Sequence, residues 1–171
     1  MTQPIVTARL TLVPATVELI ALELSSAAEL AAALKADLPR DWPPEFHTDQ
    51  ALRFTASALG EDGAAGWWLH YFLARDVAAP RLIGTGGFKG PPSEDGVTEI
   101  GYSVVRSAQR RGYATEAAAA MVDTAFARGA RLVRAETLPH LSASIAVMER
   151  TGLAPAGSPR EGVIAYEIAV S

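Results

Sequence analysis

The segment Arg110-Arg111-Gly112-Tyr113-Ala114-Thr115 has the residue types and the order of an anion-binding turn. We predict a strand over residues 99–105 just before it and a helix over residues 115–128 just after it. A short glycine-containing turn between a strand and a helix presents several backbone N–H groups at the positive end of the helix dipole. Gly112 permits a positive φ or a close approach of the backbone, and the two arginines add positive charge. The segment therefore predicts a phosphate site.

Patterns in the rest of the chain predict the elements that position this turn. Further strands are expected at residues 9–13, 67–75, 81–89, 132–137 and 162–170, and further helices at 16–24, 30–34, 48–59 and 142–151. Residues 61–66 are expected to form a turn, and the glycines at 84–87 are interpreted as strand glycines because no helix follows them. Antiparallel strands followed by a strand–helix–strand crossover predict an α/β fold, with a mixed, mostly antiparallel twisted sheet flanked by helices.

Composition narrows the classes of protein to which the chain can belong. With 171 residues, 49% of them hydrophobic, we expect a single domain over residues 1–171. We expect no membrane span and no signal peptide, and the lack of cysteine fits a cytoplasmic location. The formal charge of −4 argues against nucleic acid as the main partner, and the three histidines lack metal-ligand spacing, so no metal is expected.

Together with Gln109, the turn has the sequence Gln-Arg-Arg-Gly-Tyr-Ala. It resembles the Gln/Arg-x-x-Gly-x-Gly/Ala pyrophosphate loop of the GNAT acyl-CoA N-acyltransferases. Residues 99–105 resemble the central strand of that family, and residues 112–117 resemble the start of its CoA-binding helix. Residues 144–153 resemble its later Ser-x-x-Val-Leu-Glu-Lys-x-Gly-Phe segment. Three segments in the expected order and spacing make the resemblance specific, and they point to the RimJ/RimL-like branch of ribosomal-protein N-terminal acetyltransferases.

The resemblance implies a GNAT fold and an acetyl transfer from acetyl-CoA to an amine. In that fold the strands that match residues 99–105 and 132–137 splay apart, and the pantetheine arm lies in the gap. A backbone N–H near Val104 would polarise the thioester carbonyl. The residues that the resemblance assigns to the cofactor are Val104, Val105, Gln109, Arg110, Arg111, Gly112, Tyr113, Ala114, Thr115, Leu141 and Arg150. Because the chain has no cysteine for an acyl-enzyme, we expect direct attack by the amine in a ternary complex.

The incoming ammonium must lose a proton, and Glu99 is our first candidate for the base. It shares strand parity with Gly101 and Ser103, and it lies roughly 20 Å along the strand from residue 105 at about 3.3 Å per residue. Members of the family often carry a glutamate at this position as the proposed base. The alternative is a structural carboxylate that pairs with a neighbouring strand. Glu136, His70 and His140 are weaker candidates for the proton acceptor.

Ser144 matches a family serine that is a proposed general acid for the departing thiolate in the RimJ/RimL-like branch. The alternative is that Ser144 or Ser142 caps a helix. Tyr102 and Tyr113 are alternative proton donors. The family asparagine that contacts pantetheine is replaced here by Leu141, which cannot hydrogen-bond the amide arm. Leu141 therefore keeps open a different class of protein, namely a catalytically silent acyl-CoA-binding sensor.

The acceptor wall of the family corresponds to the proline-rich loop over residues 37–47. Trp42 and Phe46, and with them His47, are therefore expected to line the substrate cleft. Two kinds of acceptor stay open, a protein N-terminus and a small-molecule amine, and the acidic balance favours a cationic one. A different acyl donor, such as succinyl-CoA, also stays open, as do a monomer and a homodimer.

Overall fold

A computed structural model describes residues 2–61 and 64–171, and one eight-stranded sheet runs through it. The strands are β1 (Ile5–Val6), β2 (Leu10–Pro14), β3 (Leu69–Ala74), β4 (Arg81–Phe88), β5 (Val97–Val104), β6 (Leu132–Thr137), β7 (Ala154–Arg160) and β8 (Val163–Ala169). Their order across the sheet is β1-β2-β3-β4-β5-β6-β8-β7. Neighbours are antiparallel except β5 and β6, which run parallel. The predicted mixed, mostly antiparallel α/β sheet is confirmed.

Five helices flank the sheet: α1 (Val17–Ser25), α2 (Ala27–Ala33), α3 (Asp49–Ala58), α4 (Tyr113–Ala127) and α5 (Ser142–Arg150). The first three begin at hydroxyl caps. Thr16, Ser26 and Thr48 each accept a hydrogen bond from a backbone N–H in the first turn of the helix that follows. α4 ends before Gly129, whose φ of 96° suits the residue after a helix. These local signals account for the correct sequence prediction of the helices.

The alternation of side chains in β3 divides the buried residues between the two faces of the sheet. Tyr71 and Leu73 pack with Ile20 of α1 and Leu52 of α3. Phe72 lies on the opposite face, in the larger cluster that includes the buried residues of α4 and Met148 of α5. Because successive side chains of a strand point to opposite faces, the sheet separates the layer of α1–α3 from the layer of α4 and α5.

The glycines of β4 are strand residues, as the sequence analysis predicted. Gly86 lies opposite Tyr102 of β5. A Cβ atom at Gly86 would come within 2.5 Å of both the Gly101 carbonyl oxygen and the Phe72 ring. Glycine is needed here because β3, β4 and β5 approach too closely for a side chain, and not because a phosphate binds.

Several sequence-based boundaries were wrong. β1 and β7 were not predicted, and α4 begins at Tyr113 rather than at residue 115. β3 begins at Leu69 rather than at residue 67. Two residues of the turn expected at 61–66 lie outside the described residues. α4 is the longest helix, with 15 residues, and no helix of the described chain is long and apolar enough to cross a membrane.

Candidate active site

A gap opens between β5 and β6 halfway along the two strands. Their pairing runs from Val97 opposite Leu132 to Ile100 opposite Ala135. Beyond this point β5 continues to Val104 along β4, whereas the last residues of β6 pair with β8. The four residues of β5 from 101 to 104 therefore form a free edge inside the sheet, and the strands separate as the sequence analysis expected.

Hydrogen bonds to β4 show which backbone groups of β5 face this gap. Lys89 N donates to the Glu99 carbonyl at 2.9 Å, so the odd-numbered residues of β5 bond to β4. Bonding direction alternates along an antiparallel strand. The N–H groups of Tyr102 and Val104 therefore point toward the gap. On that side the Val104 carbonyl accepts a hydrogen bond from Gln109 Nε2 at 2.9 Å, which ties the strand to the turn that follows.

The predicted anion-binding turn begins α4 directly beyond the free edge. A 3₁₀ turn over Arg106–Ala108 leads into it, and Arg110 and Gly112 have φ values of 63° and 80°. Gly112 is the N-cap, and the first intrahelical bond is from Glu116 N to the Gly112 carbonyl at 3.0 Å. The N–H groups of residues 113–115 precede that bond and point out of the helix end. Arg110 and Arg111 are exposed beside them, so the turn concentrates positive potential where an anion would lie.

Arg9, which the sequence analysis did not identify, supports this turn from the far end of the chain. Its Nη1 donates to the Arg111 carbonyl at 2.8 Å, and its Nε lies 3.5 Å from Glu116 Oε2. The guanidinium also lies 4.5 Å above the ring centroid of Tyr113. Tyr113 donates its hydroxyl to Asp76 Oδ1 at 2.7 Å, and burial together with that carboxylate raises the pKa of Tyr113. The Tyr113 side chain therefore supports the turn from behind, and its backbone N–H remains at the anion site.

A cleft of about 1120 Å³ lies over the gap. Its walls are the loop before α3, part of α3, the end of β4, the free edge of β5, and the segment from the end of β6 into α5. Gln109 and Ala114 line the end of the cleft that meets the anion-binding turn. The cleft is larger than a typical pocket for one small ligand, so it can hold part of a long cofactor together with a second substrate.

Glu99 lies at the edge of a cluster of charges. Its carboxylate forms an ion pair with Lys89, and its register partner on β6 is Arg134. Arg134 in turn pairs with Glu136 at 3.1 Å and with Glu167 at 2.7 Å. Lys89 and Glu136 line the cleft at this level, whereas Glu99 is not among the lining residues and contacts the cleft wall at Lys89. These contacts fit the structural alternative for Glu99 that the sequence analysis kept open.

Ser144 lies in the first turn of α5 and lines the cleft. The N-cap of α5 is Leu141, so the capping alternative for Ser142 and Ser144 is wrong. The Ser144 carbonyl accepts a hydrogen bond from the Tyr102 hydroxyl at 3.0 Å, and burial raises the pKa of Tyr102. Leu141 lines the cleft as well, whereas Arg150 is exposed at the other end of α5. The structure thus brings Ser144, Leu141 and Tyr102 together, and it places Arg150 about 9 Å from Ser144 along the helix axis at 1.5 Å per residue.

The loop before α3, which the sequence analysis predicted as the acceptor wall, forms one side of the cleft. Phe46 lines the cleft with 67% of its surface exposed. Trp42 is half-buried beneath the wall, where its Nε1 donates to Glu23 Oε2 at 3.0 Å. His47 lines the cleft and contacts the same carboxylate oxygen through Nε2 at 2.8 Å. Glu23 belongs to α1 and was not identified from the sequence.

The same loop is tied to the approach of the anion-binding turn. Asp41 accepts hydrogen bonds from the backbone N–H and the hydroxyl of Ser107 at 2.8 and 2.9 Å. The backbone bond from Ser107 is the main cause that lowers the pKa of Asp41. The predicted acceptor wall and the predicted anion-binding turn are therefore linked directly, although 66 residues separate the two partners.

The two remaining histidine candidates lie in different surroundings. His140 is exposed and lines the cleft. His70 is fully buried next to Phe88, with ring centroids 5.9 Å apart, and its Nδ1 lies 3.0 Å from the Trp68 carbonyl. Burial lowers the pKa of His70 to about 4. His70 is a core residue rather than part of the cleft wall.

A family model described as an acetyltransferase (GNAT) domain matches residues 9–154. The chain belongs to this family. The sequence-based assignment to GNAT, with its fold, is therefore confirmed. A curated relative, the uncharacterized N-acetyltransferase YjdG of Bacillus subtilis (strain 168), is 28% identical over 88 residues. That match covers 52% of this chain, and the chain spans about half the length of the relative, 51%.

Solved structures of GNAT proteins have the same fold along nearly the whole chain. An acetyltransferase from Agrobacterium tumefaciens has a TM-score of 0.65 and 21% identity, over 99% of this chain and 96% of that chain. RimL, a ribosomal L7/L12 α-N-protein acetyltransferase solved in complex with coenzyme A, has a TM-score of 0.65 and 20% identity, over 98% of each chain. At these identities the similarity shows the fold and not the substrate.

Proposed function

We propose that this protein is an N-acetyltransferase that moves an acetyl group from acetyl-CoA to a primary amine by direct attack in a ternary complex. One observation carries the proposal. The anion-binding turn at Gly112 opens onto the free edge of β5, and Gln109 joins the two through its bond to the Val104 carbonyl. A phosphate site continuous with a row of free backbone groups fits a cofactor that has a pyrophosphate at one end and an amide-containing arm.

Each part of this surface has a role in the proposal. The N–H groups of residues 113–115, with Arg110 and Arg111 beside them, bind the pyrophosphate. The gap-facing groups of Tyr102 and Val104 hydrogen-bond the pantetheine arm, and one of these N–H groups polarises the thioester carbonyl. Val105 is buried at the end of this edge, where its N–H bonds to the Ile83 carbonyl, and it fixes the path of the arm through packing.

Two protons must move in this reaction. The acceptor ammonium loses one proton to a base before its nitrogen bonds to the carbonyl carbon, and the nitrogen loses a second proton as the carbon–sulfur bond breaks and the thiolate is protonated. Ser144 and the Tyr102 hydroxyl are the candidates that protonate the departing thiolate, since both lie at the start of α5 beside the cleft. Glu99 stays a candidate base, but it would have to exchange its ion pair with Lys89 for the acceptor ammonium.

The acceptor is proposed to be a protein N-terminus or a small-molecule amine. The proposed acceptor wall has an exposed apolar ring, Phe46, and the cleft is also lined by the acidic side chains of Glu45 and Glu136, which favour a cationic group. RimL is an α-N-protein acetyltransferase, and this supports the first option by analogy of fold. Acetyl-CoA as donor, the cytoplasmic location and the choice between monomer and homodimer stay predictions.

Leu141 favours a second candidate function, an acyl-CoA sensor without turnover. It lines the cleft at the start of α5, where the family asparagine would hydrogen-bond the cofactor. Ser144 in the first turn of α5, and the Tyr102 hydroxyl that contacts this turn, still offer polar groups beside Leu141. Turnover with any amine would exclude the sensor.

Calorimetric titration of acetyl-CoA tests the cofactor site. The combined variant Arg111→Glu, Gly112→Pro should bind at least ~10-fold more weakly than the wild type, because it loses charge-assisted hydrogen bonds worth about 1.5–3 kcal/mol. The matched control is Arg160→Glu, which makes the same charge change on the exposed strand β7. A panel of peptides and small amines, followed by release of the free CoA thiol, then tests turnover. A folded wild type that does not bind acetyl-CoA would refute the proposal.

A further inference from the structure

The carboxylate of Glu23 lies where three segments meet, namely α1, β3 and the loop before α3. Its side chain is 5% exposed. Oε1 accepts a hydrogen bond from the Tyr71 hydroxyl of β3 at 2.8 Å. Oε2 accepts from Trp42 Nε1 at 3.0 Å and from His47 Nε2 at 2.8 Å. Three donors on one buried carboxylate define a preformed polar cluster, which we call the Glu23 cluster (Glu23, Trp42, His47 and Tyr71).

The cluster fixes which nitrogen of His47 is free to take a proton. A carboxylate only accepts hydrogen bonds, so Nε2 of His47 carries the hydrogen and Nδ1 of the neutral ring has the lone pair. Burial, together with Glu23, raises the pKa of Tyr71, so its hydroxyl keeps its proton and donates. Edge contacts with the rings of Trp42 and Tyr71, at 5.5 and 6.4 Å between centroids, hold the imidazole in place.

Nδ1 of His47 faces the floor of the cleft. It lies 3.4 Å from Thr85 Oγ1, and Thr85 is opposite Ser103 in the pairing of β4 with β5. Directly opposed side chains in such a pair have Cβ atoms about 5 Å apart. Ser103 lies between Tyr102 and Val104, whose N–H groups face the gap. His47 Nδ1 is thus separated from the free edge by the hydroxyl of Thr85 and about one strand spacing.

We propose that His47 is the base that takes the proton from the acceptor ammonium, with Glu23 as a positioning residue. This inference rests on the proposed function. The ammonium gives its proton to Nδ1, the free amine forms the carbon–nitrogen bond, and the thioester carbon–sulfur bond breaks. The thiolate takes a proton from the hydroxyl of Ser144 or Tyr102, the second proton released by the new amide nitrogen restores that hydroxyl through water, and the His47 imidazolium returns its proton to water. Imidazole is the side-chain type suited to exchange protons near neutral pH.

This assignment competes with Glu99 as base, and the geometry separates the two. Glu99 is paired with Lys89, so proton transfer to it would require breaking that ion pair. Nε2 of His47 is bonded to Glu23, and Nδ1 is in a long hydrogen-bond contact, 3.4 Å, with the hydroxyl of Thr85, which lines the cleft. The charged and titratable groups that face the ring are Glu23 from α1 and Tyr71 from β3, with Glu45 two residues earlier in the acceptor loop.

The test compares pH profiles of turnover for the wild type, His47→Gln, Glu23→Gln and Glu99→Gln. Glutamine at position 47 can still donate to Glu23 but lacks the ring lone pair, so it is the conservative variant. We expect His47→Gln to lower kcat at pH 7 by roughly 100-fold, with the Kd for acetyl-CoA within twofold of wild type. The deficit should shrink as the pH approaches the pKa of the amine, because the free amine then needs no base. Glu23→Gln should show a smaller loss with the same pH dependence.

Other outcomes have separate meanings. A His47→Gln enzyme within threefold of wild type, or a deficit that is equal at every pH, would overturn the assignment while the proposed function stands. A pH-dependent deficit confined to Glu99→Gln would move the base to Glu99. A wild type that acetylates no amine in the panel would overturn the proposed function and this inference with it. If His47→Gln does not fold, the profile of Glu23→Gln decides, since a positioning role predicts the same pH-dependent loss.

Discussion

The buried histidine of the core, His70, should make the stability of this protein depend on pH in a defined window. Its side chain is fully buried, and burial lowers its pKa from the ordinary value of 6.5 to about 4. The hydrogen bond to the Trp68 carbonyl opposes this shift, and the charge of Arg128 adds to it. His70 is therefore neutral in the folded protein at pH values where the unfolded chain is protonated.

The sign and size of the effect follow from linkage. Between pH 6.5 and about 4 the unfolded state binds a proton that the folded state does not, so the free energy of unfolding falls as the pH falls through this window. Above 6.5 the contribution of His70 is complete and constant. The difference between the two pKa values corresponds to at most about 3 kcal/mol, because one pKa unit is about 1.4 kcal/mol.

Urea unfolding at pH 8, 6.5, 5 and 4 measures this loss. His70→Asn removes the titrating ring but keeps a donor for the Trp68 carbonyl. The packing cost of the substitution lowers the free energy of unfolding by the same amount at every pH, so only the change of that free energy with pH is informative. We expect the wild type to lose about 2 kcal/mol more than His70→Asn between pH 6.5 and pH 5. His140→Asn, at an exposed position, is the control and should follow the wild type. Equal slopes for the wild type and His70→Asn would refute the reasoning.

Two further predictions concern the support of the cofactor site. Arg9→Gln should weaken acetyl-CoA binding by about 3–10-fold in calorimetry, because it removes a charged donor to the Arg111 carbonyl at a partly exposed site, whereas Arg160→Gln should have no effect. Unchanged binding by Arg9→Gln would show that the turn holds its shape unaided. Gly86→Ala should destabilise the fold by about 2 kcal/mol or more in urea unfolding, since its Cβ would lie 2.5 Å from the Gly101 oxygen. Gly101→Ala, with nothing within 4 Å of its Cβ, is the matched control, and equal stabilities would contradict the close approach of these strands.

The sequence allowed the helices and most strands to be predicted because their signals are local. Thr16, Ser26 and Thr48 are residue types that favour the N-cap of a helix, and each of them is an N-cap in the structure. β7 was not predicted because it contains Pro155, Gly157 and Pro159, which are residue types typical of loops. β7 is an edge strand that pairs only with β8, and an edge tolerates residues that cannot donate to a second neighbour.

The turn that begins α4 could be predicted from the sequence because its glycine, its arginines and its flanking elements are adjacent in the chain, and its anion-binding role stays a prediction. The residues that support it could not. Arg9 contacts a carbonyl 102 residues away, and Glu23 meets His47 and Tyr71 across 24 and 48 residues. Arg9 resembles an ordinary first residue of a strand, and Glu23 an ordinary polar residue of a helix. Only the folded sheet brings these side chains to the site, so residue type and spacing carried no signal for them.

The alternation of β5 connects the two halves of the proposed chemistry. The Ser103 side chain lies on the face of α1–α3, because it opposes Thr85, which opposes Tyr71 of that layer. The backbone groups of Tyr102 and Val104 face the gap in the plane of the sheet. At the same level along β5, the Ser103 side chain therefore faces the proposed acceptor side, and the backbone groups of Tyr102 and Val104 face the proposed cofactor side. A slip of one residue in the pairing of β4 with β5 would exchange these two sets. Because the strands pack closely at Gly86, they could not adjust locally to such a slip. The register that Gly86 permits is therefore also the register that the proposed reaction requires.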